Sequence, residues 1–239
     1  MSVHGPVRDP HFPHIPRQCA VKEMINSIQD PELHEKAFRN FEREAGILAT
    51  LDHPSIPKIY DYYIFGDRAY LVMEYIQGRD LEALLSDTDA FLPVHTVRPW
   101  AIDICDALSY LHSHRPEPII FRVMKLGNIM IDQRRQVYLV DFGIGRPFLP
   151  DHQKKVAETA NDYSPERDLY DLGLALFRVL TRYDPGLEPP NSVVRPISAY
   201  NPNVPDALAA VVMKAVSYDA NDRYSSAEEM KQALIAAGT

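Results

Sequence analysis

Phe121-Arg122-Val123-Met124-Lys125-Leu126-Gly127-Asn128-Ile129-Met130-Ile131, followed shortly by Val137-Tyr138-Leu139-Val140-Asp141-Phe142-Gly143, is the stretch that decides how this chain folds. Two short β-rich runs, Ile129–Ile131 and Val137–Val140, flank the polar residues Gln133–Gln136, and that pattern predicts a small hairpin over Asn128–Phe142. Polar side chains gather at its two ends, with Arg122, Lys125 and Asn128 before it and Asp141 after it. Among them stands Val123. A valine side chain has no lone pair and can neither orient nor deprotonate a nucleophile.

Outward from this hairpin the chain is mostly helical. Trp100–His112 carries Ile104, Leu108 and Leu111 on one side, an amphipathic helix. Asp168–Leu180 is apolar nearly all round, which predicts a buried central helix. Ala207–Ser217 is a further helix, and Ser225-Ser226-Ala227-Glu228-Glu229 forms a doubled capping box that opens the last one.

Toward the amino end the character changes. Asp30-Pro31-Glu32 starts a helix with an N-cap acid and a proline at the first position, and Leu33, Ala37, Phe41, Ala45 and Leu48 follow as its apolar stripe. His53-Pro54 ends that segment; Ile59–Phe65 and Ala69–Tyr75 then read as strands around a Gly66-Asp67 turn. Residues 1–18 hold Pro6, Pro10, Pro13 and Pro16 without a sustained period, so an extended or disordered tail is expected. Its His4, His11 and His14 are read as solvated side chains, since no further ligand cluster accompanies them. A β-rich first third and a helical remainder imply two lobes of different class. There is no internal repeat.

Composition bounds the function. The chain has 239 residues, 46% hydrophobic and 24% charged, as in ordinary globular proteins. A net charge of −8 argues against nucleic-acid binding, which depends on phosphate neutralisation by Lys and Arg. Cys19 and Cys105 are far apart and form neither a disulfide framework nor zinc spacing, so a reducing cytoplasm is expected. No apolar run is long enough to span a bilayer. Residues 1–18 lack the apolar centre of a signal peptide, and the expectation is that no membrane segment follows the last helix.

From Cys19 to about residue 236 the chain resembles the eukaryotic-like serine/threonine protein kinases of bacteria. The family's catalytic loop reads H-R-D-L-x-x-x-N and is followed by D-F-G. Arg122, Lys125, Asn128 and Asp141-Phe142-Gly143 fall on that pattern, whereas Val123 stands at the catalytic aspartate. The resemblance implies an α+β, protein-kinase-like bilobal fold: a truncated β-rich N-lobe over residues 19–76, with three strands, and a helical C-lobe over 77–239. Cys19-Ala20-Val21-Lys22 is similar to V-A-I-K, so Lys22 would meet the α- and β-phosphates of ATP and Glu44 would hold it. Met73-Glu74-Tyr75-Ile76 resembles gatekeeper and hinge. The backbone of Glu74 and Ile76 would then face the adenine edge, with Ala20 and Met130 above and below the ring. Asn128 and Asp141 occupy the positions of the Mg²⁺ ligands.

The resemblance also implies architecture. Phe121 replaces the usual histidine and would continue a hydrophobic spine with Leu48, Ile59 and Phe142. Tyr163-Ser164-Pro165-Glu166 is similar to the A-P-E segment, with Arg223 the expected ion-pair partner of Glu166. Asp168 matches the carboxylate that holds the catalytic-loop backbone, and Thr159 is a candidate for the substrate-side threonine.

Three departures shape the functional expectation. Val123 removes the base, so no catalytic set is intact although Lys125 is retained. No G-x-G-x-x-G precedes Lys22, where Gly5 is the sole glycine, so backbone donors over the phosphates are missing. Only Arg167 separates Glu166 from Asp168, where the family has a loop that meets the peptide substrate. The expectation is a pseudokinase, a nucleotide- or protein-binding regulatory module that binds ATP weakly with Mg²⁺. Two alternatives stay open. One is a weakly active or atypical ATP-dependent serine/threonine kinase; the other is an incomplete reading frame whose first strands are encoded upstream. The protein partner or substrate is not legible.

Overall fold

The structure, a computed structural model, describes residues 2–8, 18–142, 163–185 and 194–238. Gly143, Thr159 and residues 9–17 of the expected tail lie outside the described residues. The chain divides into two compact units, one of residues 1–77 with 141–162 and one of residues 78–140 with 163–239. Together they hold one antiparallel sheet with a helix and one helical assembly with a small sheet, an α+β fold.

The first unit is built on β1 (Ser2–Arg8), β2 (Gln18–Ile25), β3 (Ile59–Phe65) and β4 (Arg68–Glu74), in the order β1-β2-β4-β3. The sheet therefore has four strands where three were expected, and Ser2–Arg8 is a strand where a tail was expected. Gly5 and Pro6 argue against a central strand, but β1 lies at the sheet's edge, and its register shifts between His4 and Val7. An edge tolerates a proline because one side of the strand has no ladder to feed. Gly66, with φ of 57°, closes the β3–β4 hairpin in the left-handed region that glycine adopts freely.

Helix α1 (Pro31–Ala49) packs on β3 and β4. The Asp30 side chain accepts from the backbone N–H of Glu32 and Leu33 at 3.0 Å each, satisfying two donors of the first turn. Ala37, Phe41, Ala45 and Leu48 form the buried stripe, with Phe41 edge-on to Tyr62 at 6.3 Å. Leu33, expected in that stripe, is exposed in the first turn.

The second unit contains β5 (Gly78–Asp80), α2 (Leu81–Ser86), α3 (Val94–His112), β6 (Ile129–Asp132), β7 (Val137–Leu139), α4 (Pro165–Thr181), α5 (Asp206–Ala215) and α6 (Ala227–Ala236). The expected hairpin is present, with Ile129 opposite Leu139 and Ile131 opposite Val137. Asp132 Oδ1 accepts from Arg134 N and Gln136 N at 2.8 Å, which fixes the turn between the strands. Strand β5, unforeseen in the sequence, adds to β6. Gly78 is required there, because a Cβ would stand 2.1 Å from the Ile131 carbonyl oxygen. The core lies where α3, α4, α5 and α6 meet, around Leu108, Leu172, Phe177, Val212 and Met230. Helix α3 begins earlier than expected and includes Pro99 in its second turn.

Candidate functional site

In the first unit, β2 and β4 fix most of the side chains singled out by the sequence. Ala20 lies opposite Met73 and Lys22 opposite Leu71 in the antiparallel register. Directly opposed residues share a face, so Ala20, Lys22 and Met24 line one side of the sheet with Met73, Leu71 and Ala69. Lys22 is only 2% exposed, and its Nζ pairs with Asp141 Oδ1, a carboxylate that keeps 26% of its surface open. A buried ammonium needs such a counter-charge, since desolvation without one costs several kcal/mol, about 3–5 when a partner is removed. Asp141 has φ of 69°, a left-handed conformation that Asp tolerates better than most residues.

Glu44 is half-buried on α1, immediately before Ala45 of the packed stripe. Glu74 ends β4, where its N–H donates to the Lys58 carbonyl at 2.8 Å and its Oε2 accepts from Lys58 N at 3.2 Å. Ile76 is buried two residues further on.

In the second unit the Phe121–Asn128 segment is held from within. Asp168, on the first turn of α4 and fully buried, accepts from Phe121 N at its Oδ2 and from Arg122 N at its Oδ1, each at 2.8 Å. Two parallel backbone donors on one carboxylate fix the orientation of that peptide, and Arg122 takes φ of 72°. Asn128 Nδ2 donates to the Val123 carbonyl at 2.9 Å, and Val140 N donates to the Asn128 carbonyl at 2.9 Å. The loop is thus closed by backbone and side-chain bonds that do not involve the Val123 side chain. Asn128 is buried, Val123 and Met130 are half-buried, and Lys125 is exposed.

One side chain that supports this loop escaped the sequence reading. His112, the last residue of α3, places Nε2 2.9 Å from Asp168 Oδ2. No periodicity or spacing marks it, because the contact joins residues far apart in the chain.

The Glu166–Arg223 ion pair expected from the sequence is absent. Arg223 Nε donates to the Ser217 carbonyl at 2.8 Å, Nη2 donates to the Tyr218 carbonyl at 3.3 Å, and the guanidinium lies 4.1 Å from the Tyr170 ring centroid. Glu166 is exposed on the first turn of α4. The reason is local: Ser164 is the N-cap of α4, its Oγ accepting from Arg167 N at 3.2 Å, and Pro165 is the first helical residue. With no intervening loop, Glu166 is carried into the helix that bears Asp168.

Among the described residues no group of His, Cys, Asp and Glu is arranged to hold a metal by itself, and no helix is long and apolar enough to cross a membrane.

Comparison with known proteins agrees with the fold. The protein kinase domain family matches residues 13–235. The chain is 33% identical over 249 residues to the serine/threonine-protein kinase PknB of Mycolicibacterium smegmatis, covering 92% of this chain and 38% of that one. It is 30% identical over 216 residues to the serine/threonine-protein kinase PrkC of Bacillus subtilis, covering 81% and 33%. The chain spans about a third of the length of these relatives. Among solved structures, the PknI kinase domain of Mycobacterium tuberculosis superposes with a TM-score of 0.73 at 25% identity, covering 97% of this chain and 89% of that one. The apo form of PpkA-294 gives 0.76 at 19% identity, covering 92% and 87%, a likeness of fold alone.

Proposed function

The chain belongs to the protein kinase domain family, among the eukaryotic-like serine/threonine kinases of bacteria, and we propose that it is a pseudokinase that binds nucleotide weakly and acts as a regulatory module. The observation that carries this is Val123. The loop around it keeps its frame through Asp168 and Asn128, yet the side chain at the position of the base cannot accept a proton. Loss of a general base costs on the order of 10²–10⁴ in rate.

Lys22, buried and cationic, is the group proposed to meet nucleotide phosphates, with Glu44 as its second partner. Ala20, Met73 and Met130 would contact the adenine, and the backbone at Glu74 and Ile76 would hydrogen-bond its edge. Asp141 and Asn128 supply a carboxylate and an amide oxygen, the hard donors that Mg²⁺ prefers, so the residue types fit the ion. When bound, Mg²⁺ neutralises phosphate charge. Lys22 orients the phosphates, and Asn128 holds the loop backbone at Val123. The absent glycine loop removes backbone donors to the phosphates, and two lost charge-assisted bonds at about 1.5–3 kcal/mol each move a micromolar site toward roughly millimolar.

A calorimetric titration of ATP with and without Mg²⁺, beside a radiolabel transfer assay on a generic basic protein, tests the proposal. The expected result is weak binding and no transfer above background. Transfer that disappears in Lys22→Met would overturn it in favour of an active kinase.

A further inference from the structure

Asn26 is the first residue after β2, the strand that carries Lys22, and it is only 4% exposed. Its N–H donates to the Asp67 carbonyl in the β3–β4 turn at 2.8 Å, its Nδ2 donates to the His34 carbonyl in the first turn of α1 at 3.0 Å, and its Oδ1 accepts from Ile28 N at 3.2 Å. The bond to His34 is not needed to complete the helix. Asp30 already caps α1, and a helical carbonyl is met by the N–H four residues on. What the bond adds is direction. The stripe of Ala37, Phe41, Ala45 and Leu48 holds α1 to the sheet, but hydrophobic attraction has no preferred angle. The His34 side chain supports the same junction, with Nε2 3.3 Å from Asp67 Oδ1 and the ring edge-on to Phe38 at 4.9 Å.

We propose that Asn26 is a positioning residue for the nucleotide site, setting the angle at which α1 presents Glu44 to the strand of Lys22. The inference rests on the nucleotide-binding reading above and gives that site a control point that no ligand touches. Glu44 lies about 15 Å along the helix axis from His34. A tilt of about 10° around the anchored first turn moves Glu44 by about 2.6 Å, nearly the length of a hydrogen bond, so a contact made at one tilt is lost at the other.

Amide spectra of the full chain, recorded by nuclear magnetic resonance and titrated with Mg-ATP, test this. Asn26→Asp keeps the acceptor for Ile28 N but replaces the donor to His34 with an oxygen facing that carbonyl. It is expected to shift α1 amides as far as Glu44 in the ligand-free protein. It is also expected to weaken Mg-ATP binding about fivefold, equivalent to about 1 kcal/mol. In a Glu44→Gln background the same substitution is expected to add less than about twofold, because its effect passes through Glu44. His34→Ala keeps the His34 carbonyl and loses only a solvent-exposed pair, so it is expected to weaken binding by less than about twofold. Amide shifts confined to the first two turns of α1, an unchanged Mg-ATP affinity, or an equal loss in the Glu44→Gln background overturns the proposal. So does a His34→Ala loss as large as that of Asn26→Asp. Thermal melting confirms that each variant is folded; should Asn26→Asp melt early, Asn26→Ser, whose hydroxyl is too short to reach His34, carries the same expectation. If the unaltered protein binds no ATP, the nucleotide reading fails, and the spread of the ligand-free shifts still decides whether Asn26 positions α1.

Discussion

His112 and Asp168 form a side-chain hydrogen bond of 2.9 Å that completes the support of the loop containing Val123. An ionised carboxylate only accepts, so His112 Nε2 carries the hydrogen and Nδ1 is left buried without a partner. Asp168 thereby takes three donors: the N–H groups of Phe121 and Arg122, and the imidazole.

That arrangement ranks two substitutions. Asp168→Asn turns an accepting edge into a donor facing other donors, and each buried donor left unpaired costs about 1–3 kcal/mol. His112→Ala deletes one of the three donors and should cost less, about 1 kcal/mol. Urea denaturation followed by circular dichroism checks the order; a His112→Ala loss equal to that of Asp168→Asn would show that the imidazole, not the carboxylate, organises the segment.

Restoring a carboxylate with Val123→Asp should give at most trace phosphotransfer. The substitution supplies a proton acceptor, but neither the phosphate-covering glycines nor the loop between Glu166 and Asp168 returns with it. Misplacement of reacting groups by about 1 Å can cost a hundredfold. Turnover on the order of 1 s⁻¹ in the single variant, typical of kinases, would mean that the base alone was limiting.

Two glycines should respond unequally to alanine. At Gly78 the new methyl would meet backbone, 2.1 Å from Ile131 O and 2.8 Å from Asp132 Cα, and backbone cannot rotate aside. Overpacking of this kind costs about 1–3 kcal/mol. At Gly127 no atom lies within 4 Å of the added carbon, so Gly127→Ala should be neutral to within about 0.5 kcal/mol. Paired thermal melts decide it.

Acid should weaken the α6 cap. The ammonium of Lys214 and the backbone and hydroxyl of Ser225 hold the Glu229 carboxyl down to about 2 from an ordinary value of 4.5. A depressed pKa contributes stability that is fully present above pH 4.5 and is lost as the pH falls through about 2. Because 40% of the Glu229 side chain is exposed, solvent screening limits the effect to about 1 kcal/mol. Glu229→Gln should lower stability by that amount at pH 7, with the gap closing between pH 4.5 and 2 in denaturation curves; a gap independent of pH would assign the loss to shape rather than charge.

Local chemistry made much of this fold legible. Asp30-Pro31 announces α1 because a cap and a fixed φ act on neighbouring residues, and Gly66-Asp67 announces the β3–β4 turn for the same reason. The box opening α6 is likewise local: Ser226 Oγ accepts from Glu229 N at 3.2 Å while Glu229 reaches back to Ser225 N at 2.9 Å. Strand β1 was hidden because Pro6 counts against a strand unless the strand is known to be at an edge, and edge position is a property of the whole sheet. His112 was hidden because its partner lies on another helix. Within the candidate site, Lys22 was found by its neighbours in sequence, whereas its pairing with Asp141 is a matter of three-dimensional placement.

Ser164 caps the helix on which Asp168 is the fourth residue, so the two are about 6 Å apart along the axis. The cap and the carboxylate that grips Phe121 and Arg122 therefore share a single helical turn. Whatever frays the first turn of α4, such as loss of the Ser164 hydroxyl, loosens the footing of Asp168 as well.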